Sequence, residues 1–319
     1  MMSSRCRWSH VAAIVVALVS ATAVAASADC VSRANYGNGI VFVTDREPLG
    51  DDRIFGGERA VGRDPDESVT AGTLSEARPA GTRGCTSRLS YFQALDHRFV
   101  RGHGRRALVY VHGYYTSFVT AARDALALRR ELHFPGPVIL YSWPATVTAK
   151  PAYGLESRNA SWSSPHFTSF VNDLQAHFHG MPLSFVARGV GARFATAGLR
   201  IVRDPRCRDC FGRAVLVEPE IDGDLLRRKL GEAKLCDVRR DPRRTAAPVT
   251  VYTARLKPSR CSGIDTIRVA AAVISPRDGR DPATTSPLAY DVRGALAGIP
   301  RVARARRQER PRSRLRASL

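Results

Sequence analysis

From about residue 105 onward, short apolar runs alternate with longer segments of helical spacing. Ala107 to Val111, Pro137 to Tyr141, Leu183 to Ala187, Ala214 to Val217 and Val249 to Thr253 are runs of four or five largely apolar or β-branched residues. Such runs, bounded by turn formers, predict strands buried on both faces. Between them, a stripe including Ala121, Ala125 and Leu128 predicts a helix, as do the segments Ser164 to Phe178, Val190 to Val202 and Asp224 to Ala233. Ile264 to Val269 reads as a last strand, and Gly39 to Thr44 as an upstream one that leads into a Gly- and Asp-rich loop through Glu67. Strands and helices alternating in this way predict an α/β fold, a mostly parallel sheet with helices on both faces. With 44% hydrophobic residues in 319, the chain can bury one sizeable core, and residues 29–300 are expected to form one domain with an N-terminal extension.

The two ends differ from this body. Arg5 and Arg7 precede an apolar run from Val11 to Ala26, and Ala26-Ser27-Ala28 supplies small residues for cleavage, so residues 1–28 read as a secretory signal. Export to the periplasm or the extracellular space is the expectation, with no membrane span after signal removal. Residues 301–319 hold eight arginines and one acid, and are expected to be a disordered arginine-rich tail. The whole chain carries a formal charge of +20, and only four of its 49 basic residues are lysine. A field of that sign favours anionic partners: a small-molecule anion, a lipid head group or an envelope polyanion. Nucleic acid is not the expected partner, and an arginine excess also follows from codon composition alone.

Without the signal, six cysteines remain: Cys30, Cys85, Cys207, Cys210, Cys236 and Cys261. An even number in an exported chain predicts disulfides. The preferred pairs join cysteines near in sequence, Cys30 with Cys85, Cys207 with Cys210 and Cys236 with Cys261, although six cysteines allow fifteen connectivities. Cys207-Arg208-Asp209-Cys210 also fits half a zinc site or a redox dithiol, but no second such pair is present to complete a zinc site. His177 and His179 lack a carboxylate at matching spacing and read as a helix end, so no metal and no cofactor are expected.

Several blocks carry a family resemblance. They are Val41-Phe42-Val43-Thr44-Asp45-Arg46-Glu47-Pro48, Phe55-Gly56-Gly57-Glu58-Arg59, Val109 to Phe118 with its His112-Gly113-Tyr114, Tyr141-Ser142-Trp143-Pro144, and Glu218-Pro219-Glu220-Ile221-Asp222. Together they resemble a bacterial α/β-hydrolase family of unknown function whose members are labelled esterases or lipases. The resemblance implies an α/β-hydrolase fold with a serine nucleophile on a sharp strand-to-helix turn, small residues two positions to either side. Here that turn reads Ala187-Arg188-Gly189-Val190-Gly191, with glycine at the nucleophile position. The acid is implied just after the strand Val249 to Thr253, where Lys257 stands. The base histidine is implied beyond the last strand, yet all eight histidines precede residue 180. What remains is the backbone of an oxyanion hole, the amides of Val190 and Tyr114, which alone supports only weak catalysis. A degenerate hydrolase with no catalytic residues is therefore expected.

Two further readings follow. In a rearranged site, Asp222 or Glu220 would serve as acid, His112 or His166 as base, and Ser163 or Ser164, placed in a loop, as nucleophile of an active carboxylic-ester hydrolase. Alternatively, Arg188, Arg255 and Lys257 fall at strand ends where open α/β sheets bind ligands. With His112 they would make the former catalytic cleft an anion site. Trp143 and Trp162 are expected to pack as cleft walls.

Overall fold

The computed structural model describes residues 40–49, 54–60, 70–74, 84–85, 92, 106–145, 153–178, 181–202, 211–236, 246–257, 261–270 and 288–308. The expected signal segment, Cys30, Cys207, Cys210, the Cys85 side chain and residues 309–319 lie outside them. In chain order the strands are β1 (Ile40–Thr44), β2 (Arg46–Leu49), β3 (Ile54–Arg59), β4 (Thr70–Leu74), β5 (Gly84–Cys85), β6 (Ala107–Val111), β7 (Val138–Ser142), β8 (Leu183–Arg188), β9 (Phe211–Val217), β10 (Val249–Thr253) and β11 (Ile264–Arg268). The helices are α1 (Phe118–Leu132), α2 (Tyr153–His177), α3 (Gly191–Val202), α4 (Gly223–Glu232), α5 (Leu288–Leu296) and α6 (Arg301–Gln308).

Nine strands form one sheet in the order β11-β10-β9-β8-β6-β7-β1-β4-β5, and β2 with β3 makes a separate hairpin. From β11 to β1 every neighbouring pair is parallel, while β4 and β5 join antiparallel. All five residues of β1, β6, β7 and β10 are buried. Their alternate side chains feed two cores. Val41, Val109 and Val251 face one layer with Phe167 and Leu174 of α2, Phe194 of α3 and Leu230 of α4. Phe42, Leu108 and Tyr252 face the other, with Phe118, Ala125 and Leu128 of α1 and Val292 of α5. This two-sided burial is why the strands read as continuous apolar runs.

The helix ends follow local chemistry. Ser117 caps α1 by accepting the Thr120 amide at 3.1 Å, and the left-handed His133 (φ 48°) closes it. Asp222 caps α4 by accepting the amides of Asp224 and Leu225 at 2.9 and 3.0 Å. Helix α2 begins at 153 rather than 164 and carries Pro165 in its interior. Ser163 and Ser164 are therefore helical, not in a loop. Ser163 is fully buried.

The expected tail also departs from expectation at its start. Arg301–Gln308 is helical, and Arg304 is only 2% exposed, its Nε 3.0 Å from Asp291 of α5. Asp291 in turn accepts from the Tyr252 hydroxyl of β10. A buried carboxylate with a cation and a phenol beside it anchors an otherwise polar helix. Among the described residues, no helix is long and apolar enough to cross a membrane. Cys236 and Cys261 form a disulfide, linking the chain just after α4 to the turn that leads into β11, as expected.

Candidate functional site

Strand β6 lies between β7 and β8, so the chain leaves β6 toward one side of the sheet and returns to the other. A crevice opens at such a reversal, beyond the carboxyl ends of the two strands. Gly113 and Gly189 meet there: a Cβ added to Gly113 would lie 3.4 Å from the Arg188 carbonyl oxygen.

The turn after β8 has nucleophile-elbow geometry. Gly189 takes φ +53°, donates its amide to the Val217 carbonyl at 3.0 Å, and accepts from the amides of Ala192 and Glu220. Two residues on, a Cβ at Gly191 would stand 2.6 Å from the Val111 carbonyl oxygen and 2.7 Å from that of His112, so only glycine fits. Helix α3 begins at Gly191, directly after this turn.

What faces Gly189 is a carboxylate. A Cβ at position 189 would find Oε1 of Glu220 at 3.8 Å and the Gly113 Cα at 3.7 Å, both ordinary contacts. The half-buried Glu220 carboxyl has its pKa raised, first by desolvation and also by the Glu218 charge. The cations of Arg255, Arg193 and Arg188 act in the opposite direction, so all three guanidinium groups lie within electrostatic reach. Arg193 also donates from Nε to the Glu220 carbonyl at 3.2 Å. The half-buried Tyr114 hydroxyl completes the rim, bonded to Ser157 of α2, with its pKa raised by burial first and by the Glu220 charge.

Glu218 shapes this rim. It sits at φ +42° just beyond β9, accepts the Ala254 amide at 2.8 Å, and holds Nε of Arg255 at 2.5 Å. It thereby ties the exits of β9 and β10 together. Of the expected cationic trio, Arg188 and Arg255 surround Glu220, whereas Lys257 lines a neighbouring open cleft of about 410 Å³ with Asp222, Asp224, Arg227 and Arg255. The sequence reading passed over Arg193 and gave Glu218 no role beyond its place in a family block. Arg193 lies two residues after the elbow on α3, a spacing that carried a usable signal.

The groups of the rearranged site are engaged elsewhere. Asp222 is the α4 cap described above. His112 is fully buried, so it stands behind the cleft and reaches no ligand. Its Nδ1 donates to the Gly113 carbonyl at 2.8 Å, which leaves Nε2 to accept from Arg46 at 3.3 Å and Ser142 at 3.2 Å. Burial above all, with the Arg46 charge, pushes the His112 pKa well below the usual value and keeps the ring neutral. His166 pairs with Asp45 at 3.1 Å and packs edge-on against Trp162, and Ser163 is fully buried in α2 with no imidazole on its Oγ among the described residues. Trp143 is not a cleft wall: it is fully buried, stacked on His112 and bonded to its carbonyl at 3.1 Å.

Behind the crevice lies a buried polar layer that sequence reading missed. Arg46, fully buried, fills all five of its guanidinium N–H groups with Ser142 Oγ, the carbonyls of Gly56, Ala145 and Thr116, and the His112 ring. Burial lowers its pKa to about 9, against the opposing charges of Asp45 and Glu156. Asp45 accepts from the Tyr141 hydroxyl at 3.0 Å as well as from His166. No group of three or more metal-ligating side chains occurs among the described residues.

A comparison with curated proteins finds no match. Solved structures with a similar fold include lipase B of Aspergillus fumigatus, at 12% identity and TM-score 0.37, covering 64% of this chain and 55% of that one. This chain thus spans about half the length of that lipase. A hydrolase of Thermoplasma acidophilum described as CIB-like has 12% identity and TM-score 0.36, covering 72% of this chain and 90% of that one. Carboxyl esterase 2 of Tuber melanosporum has 14% identity and TM-score 0.33, covering 61% and 75%. Residues 89–284 match the model of the family described as alpha/beta hydrolase of unknown function (DUF900). With more than half of its length inside that match, and with the parallel sheet and elbow already in place, the chain belongs to this alpha/beta hydrolase family.

Proposed function

We propose that this α/β-hydrolase-fold protein, related to esterases and lipases, is an exported, catalytically inactive member whose former active-site cleft binds an anion. The observation that carries the reading is Gly189 at the elbow, a left-handed turn with no hydroxyl or thiol on it. Acyl transfer through a serine-type mechanism needs an activated nucleophile with a base in hydrogen-bond reach. The candidate bases His112 and His166 are held in buried bonds to other partners. Arg188, Arg193 and Arg255 around the crevice support anion binding. The basic and apolar N-terminal pattern supports export, and the Cys236–Cys261 disulfide is in keeping with an oxidising compartment.

The test is direct. Purified protein incubated with a fluorophosphonate probe and with 4-nitrophenyl butyrate is expected to show neither labelling nor turnover. Ester hydrolysis that disappears in Ser163→Ala or Ser164→Ala would establish the rearranged enzyme instead.

A further inference from the structure

We infer that Glu220 is a built-in occupant of the elbow cleft, and that an external carboxylate binds there by displacing it. The inference rests on the anion-binding reading above and says which anion and what competes with it.

The geometry begins at Gly189. Where a nucleophile side chain would project, the nearest side-chain atoms are Oε1 and Cδ of Glu220, at 3.8 and 4.0 Å from the virtual Cβ. The carboxylate comes from the neighbouring strand exit rather than from the elbow. Its backbone is fixed: the Glu220 amide donates to the Gly189 carbonyl at 2.9 Å, and the Glu220 carbonyl accepts from Arg193. Only the side chain is free to swing.

The charged and titratable groups acting on this carboxyl come from the exits of β6, β8, β9 and β10 and from α3. They are Tyr114 after β6, Arg188 at the end of β8, Arg193 on α3, Glu218 after β9 and Arg255 after β10. Glu218 already neutralises Arg255 through their 2.5 Å contact. That leaves Arg188 and Arg193 as two guanidinium charges facing the single charge that Glu220 supplies. A planar, singly charged carboxylate on a small molecule would meet the same guanidinium groups. It must then compete with a carboxylate tethered at high effective concentration, so binding to the ionised native protein is weak.

Protonation removes the competitor. Burial raises the Glu220 pKa, so it takes up its proton at a higher pH than an ordinary glutamate. The site therefore opens to carboxylates as the medium turns mildly acidic, in a range where a stronger acid such as benzoic acid is still largely ionised.

The experiment measures benzoate binding by calorimetry to the full chain and to Glu220→Gln, from neutral to mildly acidic pH. The expected result is weak binding by the native protein that strengthens on acidification. Glu220→Gln, which keeps the shape and removes the charge, should bind roughly tenfold tighter at neutral pH and show no such pH dependence. Equal affinity of the two proteins, or a flat native profile, overturns the displacement mechanism and leaves anion binding standing. No binding by either protein at any pH overturns the anion-binding reading together with it. The native pH profile alone decides the matter if Glu220→Gln does not fold.

Discussion

Position 189 has room for a side chain, and position 191 has none. That contrast separates what the elbow needs for its shape from what it needs for chemistry. Gly189→Ser meets only contacts of 3.7 Å and longer, so its cost is the left-handed backbone, about 1–2 kcal/mol. Gly191→Ala drives a methyl into two backbone carbonyl oxygens and should cost about 3 kcal/mol or more, since the strand ends must move apart. Urea denaturation of the two variants is expected to rank them in that order, and equal losses would contradict the elbow geometry. Gly189→Ser should gain no esterase turnover, because its hydroxyl faces Glu220 and not an imidazole. The reading of Gly189 as an elbow came from the family resemblance, with Ala187 and Gly191 as the small flanks that fit it. Glu220 as the group that faces it was not, because that contact depends on where β9 ends relative to β8. His112 misled for a related reason: a histidine at a strand end looks the same in sequence whether it points into the cleft or behind it.

Among the elements, α6 shows best how a single side chain overrides composition. A segment reading Arg-Val-Ala-Arg-Ala-Arg-Arg-Gln has little apolar surface to bury, yet Arg304 reaches Asp291 and, through it, the Tyr252 hydroxyl on β10. Arg304→Ala leaves that carboxylate buried beside a phenol with no cation and should cost about 3–5 kcal/mol. The loss is to be read from chemical denaturation. A change below about 1 kcal/mol would mean that α6 is docked by other contacts. The central strands were legible because burial on both faces gives unbroken apolar runs, and helices α1, α3 and α4 because their apolar stripes keep helical spacing. Helix α2 was legible only in its second half. Ser163-Ser164-Pro165 imitates a loop, and the packing of Phe167, Val171 and Leu174 against the sheet carries the helix through it. Helix α5 was passed over although Leu288, Val292 and Ala295 keep helical spacing, and the short antiparallel strands β4 and β5 carry no long apolar run.

At the scale of the whole molecule, covalent and non-covalent ties act on different parts. The Cys236–Cys261 disulfide closes a loop of 25 residues around β10, the strand whose exit carries Arg255. Its loss through Cys236→Ser with Cys261→Ser should lower stability by about 3 kcal/mol, read as a lower denaturation midpoint. A variant as stable as the native protein would show that the bond constrains nothing that unfolds. The excess positive charge likewise resolves into places: arginines at the crevice, an arginine pinned inside α6, and Arg46 within the buried layer. The last of these bears on how the chain is assembled as it is synthesised. Arg46 emerges early, but two of its five acceptors, Ser142 and Ala145, follow 96 and 99 residues later. A nascent chain halted short of β7 holds a guanidinium that water must still solvate, and the first strand has no parallel neighbour to rest against. Closure of the layer behind the cleft is thus a late, long-range event. The segment of β1 and Arg46 waits, unfinished, for β7 to be made.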